Sequence, residues 1–367
     1  MIHRAFGGRL KPPLFIAFLI LASAPARAIA QDWAPYVRIE SMTYSQPNSI
    51  KSALNEWHGA FYGGTRQWTF NTIESGVETH DWSLGVFYRK DYDLRFSRGT
   101  AEAYYLLKNK YPLPIGKHYL LDLSASSFAA KGIRGTWRIE PTDQMKLRLG
   151  LSLFTASALI DGALHGDGTA LSQDSYRYDA AVDYHYSRDY LFKRDVSPPS
   201  GIGASLDFGF TAQIQPWLRV RGHVDDLLGR IWWKQAPYTV ATASSNRESY
   251  DASGNVHFAP LISGYEGTSD RYVQRLSPRF SGQAELGRTG KPNGIVAVQY
   301  QYGQTLLGAG AAVGFHDYVF NVTAWPQVRT LSIGVAKGRY RLELGASSLS
   351  PSTTRSLWLR LNIGQLG

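Results

Sequence analysis

Gly132–Leu159 reads GIRGTWRIEPTDQMKLRLGLSLFTASAL, two runs of alternating residues around a turn. In the first run Ile133, Gly135, Trp137 and Ile139 fall on one side and Arg134, Thr136, Arg138 and Glu140 on the other. Pro141-Thr142-Asp143-Gln144 supplies the turn: proline ends a ladder, and aspartate hydrogen-bonds local backbone. The second run sets Met145, Leu147, Leu149, Leu151 and Leu153 against Lys146, Arg148, Gly150 and Ser152. A strict period of two specifies a strand with one apolar and one polar face.

The same pattern recurs almost to the last residue, in Tyr119–Ala125, Tyr176–Tyr186, Ile202–Ile214 and Leu218–Asp225, and from Pro278 onward over 279–287, 294–303, 307–315, 318–325, 328–336, 339–348 and 355–364. It lies behind a basic segment (His3, Arg4, Arg9, Lys11), a short apolar run Leu14–Ala22, and Ala-x-Ala sites ending at Ala28 and Ala30. These are the parts of a cleaved export signal, and the apolar run is shorter than the roughly 20 residues a spanning helix needs. Residues 1–30 are therefore expected to be a signal peptide and residues 31–367 a single domain. Because only helices and closed barrels cross a bilayer, the expected fold is all-β: a transmembrane antiparallel up-and-down β-barrel of about 16 strands, within a range of 14 to 18.

Composition agrees. Twenty-two Tyr and 10 Trp suit interfacial aromatic girdles, and the lack of cysteine suits a ring stapled by its own ladders. Removing residues 1–30 takes away Arg4, Arg9, Lys11 and Arg27 and no acid, lowering the formal charge from +10 to +6. No lysine-rich or aromatic-studded basic run points to nucleic acid. Three stretches break the rhythm. Residues 50–56 read as a short helix or loop, Thr100–Lys108 has helix-forming composition, and Leu227–Val273 reads as a long hairpin outside the ring or a loop folded into it. Trp57–Gly63 reads as an untidy strand, and Ile160–Ser175, rich in Gly and Asp, as a loop. The connections should alternate short and long; 141–144 and 160–175 do, whereas 188–200 and 215–217 come in the reverse order.

The export signal, the alternating strands and the amphipathic last strand (Leu357, Leu359, Leu361, Ile363) resemble bacterial outer-membrane β-barrel proteins of the porin-like kind. The resemblance covers nearly the whole mature chain and is architectural. It implies residence in the bacterial outer membrane, with membrane lipid, lipopolysaccharide and the barrel-assembly machinery as partners. Many such proteins end in an aromatic residue, whereas this sequence ends Ile363-Gly364-Gln365-Leu366-Gly367. Recognition from an internal segment such as Ser356–Ile363, or a variant assembly route, is then expected.

The polar faces carry the candidate chemistry. Arg134, Arg138, Lys146, Arg148, Arg177, Arg219, Arg221, Arg339, Arg341 and Arg360, with Asp179, Asp183, His185, Asp207, His223, Asp225, Glu285 and Glu343, are expected to line the lumen. Such rings set solute preference, here toward anions, or fill the interior as paired ladders. The leading function is a porin-like channel for small hydrophilic or anionic solutes, or an export pore for a polymer. The alternative is a non-conducting structural or assembly component. A surface hydrolase comes third. Asp91-Tyr92-Asp93 and Asp183-Tyr184-His185 resemble the catalytic groups of omptin proteases, but the residues around them do not match that family and the strands are too many. Ser187 with His185, or Ser205 with His223, are chance-level pairs, and His223-Val224-Asp225-Asp226 is too small a set for a metal site. HExxH, GxSxG and paired CxxC motifs are absent, Gly308-Ala309-Gly310 lacks the context of a phosphate loop, and no cofactor is implied.

Overall fold

The computed structural model describes residues 33–173, 175–245, 248–250, 256–258, 261–287 and 291–364. The expected signal peptide, 1–30, lies outside them, as do the last three residues. Strand β1 (Ala34–Ser45) leads through the short helix α1 (Ile50–Leu54) to β2 (Arg66–Glu78) and β3 (Trp82–Phe96). Helix α2 (Arg98–Lys108) precedes the long pair β4 (His118–Thr142) and β5 (Met145–Ala170). Next come β6 (Tyr176–Tyr186), β7 (Ser200–Gln215), β8 (Leu218–Asp225), β9 (Arg230–Lys234) and β10 (Ala236–Ser244). A small hairpin, β11 (Glu248–Tyr250) and β12 (Val256–Phe258), separates these from β13 (Leu261–Ser269), β14 (Tyr272–Arg275) and β15 (Arg279–Leu286). The chain finishes with β16 (Asn293–Gln301), β17 (Gln304–Phe315), β18 (Tyr318–Trp325), β19 (Thr330–Lys337), β20 (Tyr340–Ala346) and β21 (Ser356–Ile363).

Every pairing is antiparallel, and the ring closes where β21 meets β1, with Val37 opposite Ile363 and Tyr44 opposite Ser356. The ring runs β1-β2-β3-β4-β5-β7-β8-β15-β16-β17-β18-β19-β20-β21, which is 14 strands rather than about 16. The difference lies in five strands outside it: β6, β9, β10, β13 and β14. β6 never crosses. It pairs with the upper half of β5, directly above the point where β7 takes over the lower half. The reversed loop lengths around 188–200 follow from this, because the connection from β6 to β7 steps down one wall and does not cross to the other side.

β8 and β9 both pair with β7, and β15 and β14 pair with them in turn, so each couple is one strand interrupted at Asp226–Gly229 or Leu276–Pro278. Above the interruptions the hairpin continues as β10 and β13, and β10 pairs with β6. The upper halves of β4 and β5 with β6, β10 and β13 thus raise one side of the ring into a tall wall. Non-glycine residues in the left-handed region mark its joints: Ala158 (φ 59°), Asp226 (φ 58°) and Gln235 (φ 53°). Ala158 is accompanied by a register shift between β4 and β5, the signature of a bulge that re-aims the strand.

The short connections 79–81, 143–144, 216–217, 316–317 and 338–339 gather at one end, the turn end, with the start of β1 and the finish of β21. Side chains alternate as the sequence implies. Leu84, Val86, Tyr88, Ile133, Trp137, Leu149, Leu151, Leu153, Ile333, Leu344 and Leu357 are exposed on the outside as an apolar belt. No helix among the described residues is long and apolar enough to cross a membrane.

The stretches without alternation resolve differently. Thr100–Lys108 lies in α2, capped by Ser97 accepting from the Thr100 N–H. Helix α2 packs on the outer wall, Ala101 lying with Trp57, Leu94 and Phe96. Residues 57–63 form no regular strand, and Ile160–Ala170, expected as a loop, continues β5.

Candidate functional site: a basic cavity under a closed section

The interior divides into two levels. At the turn end is a cavity of about 360 Å³, reaching from Arg138, Glu140 and Lys146 beside the β4–β5 turn up to Phe70, Gln301 and Trp325. Inward positions of ring strands line it, because successive side chains of a strand alternate between wall and lumen. Nine arginine or lysine side chains border it against four carboxylates.

Most of these cations are paired. Arg134 reaches Glu74 (2.9 Å) and Asp207 (3.3 Å) and donates to Ser152 Oγ (2.8 Å). Arg138 meets Glu78 at 2.7 Å, Arg221 meets Glu285 at 3.0 Å, and Arg360 sits between Glu40 (3.1 Å) and Glu343 (3.5 Å). Lys146 holds Glu140 at the rim (2.9 Å). Two guanidinium groups differ. Arg148 donates to His223 Nδ1 (3.0 Å), whose Nε2 in turn donates to Asp225 (2.6 Å), and it has no carboxylate within 4 Å among the described residues. Arg341 has no ion-pair partner among the described residues. A guanidinium that faces a confined cavity without a carboxylate is a ready donor fork for an anion.

Above the cavity the section is filled by wall side chains. Trp68, Trp325, Trp358, Met42, Tyr302 and Leu306 form one buried cluster; Phe87, Phe128, Phe154, Leu159, Ile231, Trp233 and Leu276 form another. Between them lies an ionic knot. Arg89 makes two forks, with Nε and Nη2 on Asp91 (2.9 and 2.6 Å) and Nη1 and Nη2 on Asp226 (2.8 and 2.6 Å). Arg279 approaches Asp225 (3.1 Å) and Asp226 (3.8 Å) and lies over the Phe70 ring. Arg89, Asp91, Asp226 and Arg279 are each at least 95% buried.

Contacts in this layer run straight across the ring. Trp68 Nε1 on β2 donates to Gln304 Oε1 on β17 (3.2 Å), and Gln301 on β16 reaches Met42 on β1 (3.3 Å). The tight β16–β17 turn, with Tyr302 (φ 49°) and Gly303 (φ 76°) both left-handed, sends the Tyr302 hydroxyl to Asp91 on β3 (2.9 Å). Strands on opposite arcs of the ring therefore touch through their side chains, and the lumen is spanned. Neither α2 nor the pair β10 and β13 does this; α2 lies on the outer wall, and β10 and β13 extend the wall.

Of the side chains expected at the lumen, Arg134, Arg138, Lys146, Arg148, Arg221, His223, Asp225, Arg341, Glu343 and Arg360 border the cavity. Asp207 and Glu285 stand just behind it as partners of Arg134 and Arg221. Arg219 is one inward step nearer the turn end than Arg221, and Arg339 lies in the turn, hydrogen-bonded to the Pro35 carbonyl. Arg177, Asp179, Asp183 and His185 belong to β6 and sit in the raised wall, away from the cavity. Among the hydrolase candidates, Asp183 and His185 stay neighbours on the inward face of β6, whereas Ser187 donates to the Leu159 carbonyl (3.2 Å). Asp91 is held by Arg89, Ser205 donates to Asp226 (2.8 Å), and His223 is engaged by Arg148 and Asp225. No group of three or more metal-ligating side chains occurs among the described residues. The knot Arg89–Asp91–Asp226 escapes sequence reading because its members come from β3 and from the interruption after β8, 137 positions apart.

Solved structures with low similarity include the toluene transporter TodX of P. putida, at 9% identity over 91% of this chain and 89% of that one, with a TM-score of 0.40. The siderophore receptor PirA of Acinetobacter baumannii matches at 8% identity over 92% and 81%, TM-score 0.22. The outer membrane transporter YddB of Escherichia coli matches at 9% over 91% and 56%, TM-score 0.21. No curated protein sequence matches the chain. One family model matches residues 126–340, from the upper part of β4 to the start of β20, which is more than half of the sequence. The chain belongs to the family described by that model, DUF5723, a family of unknown function.

Proposed function

We propose that the protein is an outer-membrane transport barrel that passes a small anionic solute through the basic cavity, gated by the layer of side chains above it. The observation that carries this reading is the pair Arg148 and Arg341: two guanidinium groups facing the cavity without a carboxylate, amid an excess of basic lining. Charged rings of one sign select ions of the other. The proposal includes cleavage of residues 1–30, residence in the bacterial outer membrane with the turn end toward the periplasm, assembly by the barrel machinery and contact of the apolar belt with lipid and lipopolysaccharide. A polymer finds no passage through a section spanned by Trp68 and Gln304, so an export pore is the weaker form of this reading.

The test is flux into proteoliposomes with phosphate, acetate and glucose as probes. Anions should enter faster than the neutral sugar, and Arg148→Ser with Arg341→Ser should remove the difference. Equal rates in both proteins would reject anion selection. The spanning contacts favour a second reading, a non-conducting structural barrel; absence of flux for every probe would establish it over the first.

A further inference from the structure

The raised wall has a chemistry opposite to that of the cavity. On its inward face four aromatic rings form a ladder. Tyr272 of β14 stacks on His185 of β6, with centroids 3.6 Å apart and planes 11° from parallel. His185 lies 5.6 Å from Tyr238 of β10, and Tyr238 meets Tyr265 of β13 edge-on at 6.3 Å. The register sets these on one side, since Tyr238 opposes His185, Tyr265 opposes Val240 next along the same face, and Tyr272 opposes the inward Trp233. Tyr265 is 63% exposed.

Carboxylates flank the ladder. Asp161 accepts from the Tyr272 hydroxyl (2.7 Å), Asp183 is one inward step from His185 on β6, and Asp167 and Asp179 oppose each other farther up β5 and β6. None of these four carboxylates has a lysine or arginine within ion-pair distance among the described residues, whereas most acids bordering the cavity do. Arg177, at the far end of β6, is the one arginine on that strand's inward face. Uncompensated carboxylates beside exposed ring faces are the chemistry of an organic-cation site: rings attract a diffuse positive charge through their quadrupole, and carboxylates supply the counter-charge. A metal ion would need three or more ligating groups together, and no such group exists among the described residues.

We infer that the inward face of the raised wall, along Tyr265, Tyr238, His185 and Tyr272 with Asp183 and Asp161, binds a small organic cation of the alkylammonium class. This site stands apart from the basic cavity and does not depend on anion transport.

The test is calorimetric titration of the full-length mature barrel in detergent with choline, using glucose and acetate as controls. Choline should bind saturably and the controls should not. Tyr265→Ala, at an exposed position that leaves folding intact, and Asp183→Asn should each weaken choline binding by about tenfold, while Arg148→Ser leaves it unchanged. Retention of heat-modifiable migration in electrophoresis certifies the fold of each variant. Absence of saturable choline binding, equal binding of glucose, or choline affinity unmoved in both Tyr265→Ala and Asp183→Asn would overturn the inference.

Discussion

The knot at Arg89 sets the sharpest energetic expectation. Asp226 accepts both outer nitrogens of Arg89 and the Ser205 hydroxyl and lies 3.8 Å from Arg279, at 1% exposure. Its backbone is left-handed, φ 58°, a conformation asparagine also tolerates, so Asp226→Asn changes charge without straining the turn. Removing one partner of a buried ion pair costs about 3–5 kcal/mol, because the charge left behind keeps its desolvation penalty. Here Arg89 retains Asp91 and Arg279 retains Asp225, which places Asp226→Asn near the lower bound, about 3 kcal/mol. Arg89→Met strands two carboxylates instead and should cost about as much. In the double variant the Arg89–Asp226 mismatch is gone and only Asp91 is left without its guanidinium, so its loss should fall short of the sum by at least about 1.5 kcal/mol. Urea titration of barrels refolded into bilayers, followed by tryptophan fluorescence, measures all three. Additivity of the two single losses within about 0.5 kcal/mol would refute the account of the knot as one coupled unit.

Two further outcomes follow from packing and from a loop. A Cβ at Gly203 would sit 2.1 Å from the Phe154 ring, which is itself wedged in the buried Phe87–Trp233 cluster; Gly203→Ala should cost about 1–3 kcal/mol in the same urea assay. In the connection between β6 and β7, burial works against the Asp189 carboxylate, but Arg194 (2.7 Å), the Phe192 N–H (2.8 Å) and the Tyr184 hydroxyl (2.8 Å) outweigh it and hold its pKa below the ordinary value. A depressed carboxylate pKa contributes stability at neutral pH that is lost as pH falls through the folded value, here below about 4. Residues 187–199 should therefore resist chymotrypsin at pH 7 and be cut by pepsin near Leu191–Phe192 at about pH 3; cleavage in Asp189→Asn already at pH 7 checks that the carboxylate is responsible.

Ring strands are legible because a wall with an apolar outer face demands an apolar residue at every second position; Met145–Leu153 and Leu357–Ile363 show it plainly. The raised wall has no such demand. Asp161-Gly162-Ala163-Leu164-His165-Gly166-Asp167 reads as a loop, yet its backbone pairs with β4 and β6 as well as any strand. Tyr176–Tyr186 fails in the other direction. It alternates like a crossing strand, and only the pairing of Ile160 with Tyr186 and of Ala156 with Gly201 reveals that β6 rests on top of β7. For the lumen, alternation identifies inward residues such as Arg134 and Arg148 but not their level or partners. The contacts that span the ring join positions 236 and 259 apart, Trp68 with Gln304 and Met42 with Gln301, and no local pattern encodes them.

Single-channel recording in planar bilayers tests the spanned lumen most directly. Trp68, wholly buried and bonded across the ring to Gln304, is the side chain to remove. The wild-type protein should stay closed with rare, brief, anion-preferring openings, and Trp68→Ala should raise the open fraction while keeping that preference. A steady open level in the wild type, unchanged by Trp68→Ala, would contradict the account.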